Sequence, residues 1–109
     1  MSATFRGYAV RSGDLWWAQS KYNFIETPDE TSFTPTRAGS AVQRIARNIK
    51  MFTKNVEILT AQYTPEYFTQ RRSLTYPEAM EQIAGEAARL VQWQNARVVE
   101  VTLNVMENQ

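Results

Sequence analysis

The sequence predicts an α+β fold: a four-stranded sheet with two helices packed on one face, in the order ββαβαβ, within a single compact domain over residues 1–109. Three observations carry this. Aromatic and β-branched residues alternate with period two near both ends of the chain, apolar residues recur with a helical period in two central stretches, and 109 residues leave room for one core.

The first two strands are read at Phe5 to Val10 and Leu15 to Ile25, joined by Arg11-Ser12-Gly13-Asp14, whose glycine can take a positive φ. Read as one continuous strand, residues 15–25 place Trp16, Ala18, Tyr22 and Phe24 on one face and Leu15, Trp17 and Ile25 on the other. Two adjacent indoles on opposite faces cannot fill one core, so one of them is expected to leave it, with Trp17 either under a loop or the chain end or at an interface. With Leu15 and Ile25 beside it, Trp17 is a candidate contact for a protein partner or a homodimer.

Past the polar stretch Glu26 to Ser32, the period changes to that of a helix. Ala38, Ala41, Val42, Ile45, Ala46 and Ile49 form an apolar stripe on a helix expected to end near Lys50. Arg37, Arg44, Arg47, Lys50 and Lys54 collect away from it, and no acidic residue occurs between Thr31 and Val56. The third strand is read at Val56 to Tyr63. Thr64 to Leu74 then forms a long connection carrying Tyr67, Phe68, Arg71 and Arg72, a second candidate partner contact because long connections are often functional. Thr75-Tyr76-Pro77-Glu78 opens the second helix with a capping box, in which Thr75 accepts from the Glu78 amide and the glutamate reaches back. Met80, Ile83, Ala84, Ala87, Leu90 and Val91 are its expected buried stripe. Val99, Val101, Leu103 and Val105 alternate with polar residues and mark the last strand.

The chain has 12 Lys and Arg against 11 Asp and Glu, so its net charge of +1 singles out no anionic partner. The charge is nevertheless segregated, with the basic residues concentrated in the first half. With no histidine and no cysteine, thiolate and imidazole metal sites, Cys and His catalytic pairs and disulfides are all excluded. The carboxylates, tyrosines and lysines form no distinctive pair, and Gly7, Gly13, Gly39 and Gly85 are too far apart to cradle a phosphate. A non-enzymatic protein without cofactor or metal is expected.

Met1 to Phe5 lacks the pattern of a secretory signal, and no stretch approaches the roughly 18 apolar residues of a membrane span. A cytoplasmic protein with no membrane partner is therefore expected. Two binding roles remain. The first is docking of a protein target by Leu15, Trp17, Ile25, Tyr67, Phe68, Arg71 and Arg72. The alternative is nucleic-acid binding through Arg37, Arg44, Arg47, Lys50 and Lys54, with Trp17, Tyr67 or Phe68 available for stacking.

Tyr8-Ala9-Val10-Arg11-Ser12-Gly13-Asp14-Leu15-Trp16, followed by Phe33-Thr34-Pro35-Thr36 and a helix with Ala38 and Ala41, resembles the hairpin-plus-helix module of small bacteriophage accessory proteins. The resemblance covers less than half of the chain and carries no catalytic residue. It implies a compact inhibitor or modulator of a host enzyme or nucleic-acid machine, acting in the host cytoplasm.

Overall fold

Gly13 reverses the chain at φ 59°, in the left-handed region that glycine enters without a Cβ clash. It joins strand β1 (Ser2–Ser12) to strand β2 (Leu15–Ala18), with Ser12 opposite Leu15 and Arg11 opposite Trp16. This computed structural model describes residues 2–34, 38–70 and 73–106. A 310 turn at Gln19–Lys21 ends β2, and Tyr22 at φ 46° leads into β3 (Asn23–Ile25). The strand expected over residues 15–25 is thus two short strands folded back on each other. Because the turn breaks the alternation, Trp17 faces Phe24 and Trp16 faces Ile25. Trp17 and Ile25 therefore lie on opposite faces of the sheet, not on one.

The last strand, β4 (Ala96–Met106), pairs antiparallel with the whole of β1, from Ser12 opposite Ala96 to Ser2 opposite Met106. The sheet order is β3-β2-β1-β4, and every pairing is antiparallel. β2 leaves β1 after two residue pairs, and Thr34 takes up the vacated edge: the Tyr8 amide donates to the Thr34 carbonyl at 2.8 Å and the Thr34 amide to the Tyr8 carbonyl at 2.9 Å. Gly7 permits this approach. A Cβ there would lie 2.5 Å from the Thr34 carbonyl oxygen and would run into the Phe33 ring.

The expected third strand is absent. Residues 56–63 fall on helix α1 (Ala38–Gln62) up to Gln62, and the helix does not stop near Lys50. No glycine or proline interrupts the chain between Ser40 and Tyr63, and Phe52, Val56 and Leu59 continue the inward stripe of Ala41, Ile45 and Ile49 at helical spacing. Helical period outweighs the local run of branched residues at Val56, Ile58 and Thr60. The expected connection also contains a helix, α2 (Pro65–Gln70), with proline at its first position and Thr64 accepting the Tyr67 amide. Helix α3 (Tyr76–Gln94) begins with the expected capping box: the Glu78 amide donates to Thr75 Oγ1, and the Thr75 amide and hydroxyl donate to Glu78 Oε1. The observed order is βββαααβ, in place of ββαβαβ.

The chain divides into two compact units, residues 1–46 with 95–109 and residues 47–94. In the first, Ala9, Val10, Trp17, Ala18, Phe24 and Ala41 are buried. In the second, Phe52, Ala79 and Trp93 are buried, and Asn55 Nδ2 of α1 approaches Glu86 Oε2 of α3 at 3.4 Å. The inward stripe of α3 is rotated from the expected one: Ala84 and Val91 are exposed, while Ala79 and Trp93 are buried. Among the described residues, no helix is long and apolar enough to cross a membrane.

Candidate partner-binding surfaces

The face of the sheet that carries Trp16 holds a concavity. Strand alternation places Ala9, Trp16, Ile25, Val99, Val101 and Leu103 on this face, and the chain from Pro28 to Phe33 rises beside it. The result is a groove of about 570 Å³ with Ala9, Trp16, Phe33, Val101 and Leu103 as its apolar walls. The Arg11 guanidinium lies 4.6 Å from the centre of the Trp16 ring, and its Nε donates to the Gly13 carbonyl at 3.1 Å. These contacts set a cation against one face of the Trp16 ring. Across β1 and β4, Phe5 lies opposite the groove residue Leu103, and the two are 51% and 41% exposed.

The rim of the groove is acidic. Asp29 caps a 310 turn at Glu30–Ser32: its Oδ1 accepts from the Thr31 amide at 2.8 Å and the Thr31 hydroxyl at 2.5 Å, and its Oδ2 accepts from the Ser20 hydroxyl at 3.2 Å. These bonds, the Thr31 hydroxyl foremost, hold its carboxyl below the usual carboxylate range against a smaller opposing effect of burial. Asp29 is therefore a fixed negative charge with a structural duty. Glu30 beside it is exposed and makes no ion pair with a described residue.

The residues singled out from sequence scatter over several surfaces. Trp17, expected to leave the core, is 8% exposed: its ring packs edge-on against Phe24 at 5.4 Å and Tyr22 at 6.5 Å, and its Nε1 donates to Gln19 Oε1 at 3.3 Å. The parity change at residues 19–22 brings Phe24, and not Ile25, onto its face. Leu15 shares its face of the sheet and is half-buried, whereas Ile25 lies on the opposite face with Trp16. Tyr67 and Phe68 belong to the second unit. There they join Tyr63 and Tyr76 in a ring cluster with centroids 5.1 to 6.1 Å apart, the Tyr63 hydroxyl donating to Gln82 Oε1 at 2.9 Å. Arg71, Arg72 and Arg37 lie outside the described residues.

Along α1, Arg47, Lys50 and Lys54 are exposed and form a continuous strip opposite the buried Ala41 and Phe52. None of the three makes an ion pair with a described residue. Arg44, half-buried, is already engaged in interactions of its own. Sequence reading found this strip but missed the groove, whose walls combine β1, β2, β4 and the segment before α1. The only early signal was the alternation of Val99, Val101 and Leu103. In comparisons with known proteins, no family model, curated sequence or solved structure matches this chain.

Proposed function

We propose that this protein is a non-enzymatic binding module that docks a protein partner in the groove beside Trp16. The observation that carries this reading is an apolar groove with an indole wall and an acidic rim. Such a site suits a partner segment that presents one bulky apolar side chain next to a basic residue: the groove removes the first from water, and Glu30 and Asp29 attract the second. In line with the phage proteins that its N-terminal half resembles, the module acts in the cytoplasm as an inhibitor or modulator of a host enzyme or nucleic-acid machine.

Selection from a random peptide library tests the proposal directly. The expected ligands share an aromatic or large aliphatic residue flanked by Lys or Arg. Trp16→Ala should abolish their binding by speeding dissociation, and Glu30→Lys should slow their association. Ligands indifferent to both substitutions would refute the groove as the site.

A second reading rests on the cations of α1 that pair with no described residue. Arg47, Lys50 and Lys54 lie at the spacing of successive turns and can neutralise neighbouring phosphates of a nucleic acid. Salt-dependent binding of bare duplex or single-stranded nucleic acid, lost on replacing all three by glutamine and unchanged by Trp16→Ala, would favour it over the groove.

A further inference from the structure

We propose that the outer edge of β4 is a homodimer interface, in which two copies of the chain pair antiparallel about a two-fold axis at Val101 and merge their sheets. The argument begins with the direction of the backbone groups. Both Tyr8 groups are taken by Thr34, so the Tyr8–Glu100 pair exchanges no hydrogen bond. By alternation, the amides and carbonyls of Val98, Glu100, Thr102 and Asn104 point away from β1. No described residue pairs with them.

This edge has few of the usual protections, its charged side chains being Arg97 and Glu100. β4 is eleven residues long, contains no Gly, Pro or Lys, and keeps its register with β1 without a bulge. Glu100, Thr102 and Asn104 are exposed along it. An edge of this kind is a template for another strand, and its side chains say which one.

In an antiparallel dimer with its axis normal to the sheet, the faces of the two sheets coincide, so each residue opposes one of the same parity. Full overlap of β4 with its copy has a single register, centred on Val101. Val101 then meets Val101 of the second copy, Val99 meets Leu103, and Glu100 meets Thr102. The apolar face, including the exposed Phe5–Leu103 pair, becomes continuous across the axis, and no carboxylate directly opposes another. Sliding the register so that residues 99 and 101 pair would set Glu100 against Glu100, which is unfavourable. The sequence of β4 is thus self-complementary in its longest register. The interface uses the strand edge and stands whether or not a partner occupies the groove.

The register makes the proposal testable by crosslinking, because the chain contains no cysteine. Val101 would form a non-hydrogen-bonded pair, with Cα atoms roughly 4.5 to 5.5 Å apart, inside the range that a disulfide spans. Mild oxidation of Val101→Cys should therefore give a covalent dimer, and faster than Thr102→Cys, whose opposite number is Glu100. In sedimentation equilibrium, Thr102→Glu should weaken the dimer by roughly 2- to 30-fold, since two like-charge pairs form by symmetry, whereas Thr102→Lys should tighten it by a similar factor. Circular dichroism checks that each variant folds, and if Val101→Cys does not, the opposite responses to Glu and Lys decide alone. A wild type that stays monomeric at high micromolar concentration, equal crosslinking at positions 101 and 102, or the same response to Glu and Lys would overturn the proposal.

Discussion

At one end of the sheet β3 presents three residues, and its outward-pointing amide, that of Phe24, is already taken by Asn23 Oδ1 at 2.9 Å. At the other end β4 presents eleven residues, and no described residue pairs with its outward groups. The vacated edge of β1 resembles the first case, since Thr34 closes it at Tyr8. Short-range devices thus act at two edges, a side chain at β3 and a single bridge at Tyr8 of β1, beyond which no described residue pairs with the outward groups of Ser2, Thr4 and Arg6. The edge of β4 is the longest uninterrupted one. Edge strands are dangerous when open, so the contrast locates the surface where association is built into the backbone.

The largest effect should come from removing the anchor of the sealed end. Trp17→Ala deletes a buried indole that packs on Phe24, and should cost about 3–5 kcal/mol of unfolding free energy in urea titrations. A loss below 1 kcal/mol, with dimerisation abolished, would show instead that Trp17 serves an interface.

Asn23→Ala should cost less, about 1 kcal/mol, because it removes the acceptor of the Phe24 amide bond without opening a cavity. It sharpens the comparison in a second way. If the side chain is the seal, the variant should self-associate more than wild type in light scattering at equal concentration.

The smallest effect concerns Asp29, which ties the 310 turn at Glu30–Ser32 to Ser20 in the turn between β2 and β3. Its folded pKa is lowered, so its contribution to stability is complete above about pH 4, the unfolded value, and is lost as pH falls through the folded value. Urea midpoints of Asp29→Asn should lie below those of wild type near neutrality and converge with them in acid. Parallel profiles at all pH values would show that these bonds do not stabilise the folded state.

Legibility in the sequence followed the range of the forces involved. The Gly13 hairpin, the Thr75–Glu78 capping box, the alternation of β4 and the strip of Arg47, Lys50 and Lys54 are all local patterns, and each was readable. The segment Val56 to Gln62 was not, because a short run rich in branched residues satisfies strand propensity, and only the inward stripe continuing from Ala41 through Phe52 decides for helix. The packing of Trp17 on Phe24 turned on four residues of turn that reset the parity of residues 23–25, which composition does not announce. The groove was hidden for a different reason: its walls at Ala9, Trp16, Phe33 and Val101 meet only through the pairing of distant strands.

That pairing has a consequence in time. β1 and β4 hold the longest ladder of the sheet, yet they lie at opposite ends of the described chain, with all three helices between them. Closing a loop of this length costs on the order of 4 kcal/mol of chain entropy before any ladder bond repays it. During synthesis β1 emerges first and must wait for residues 96–106 before it gains its main neighbour. Meanwhile the hairpin with β2 and the bridge to Thr34 are its available partners. Folding should therefore be slow for a chain of this size, and the nascent N-terminal strand, with Phe5 and Tyr8 uncovered, passes through a period in which chaperones or another chain can reach it.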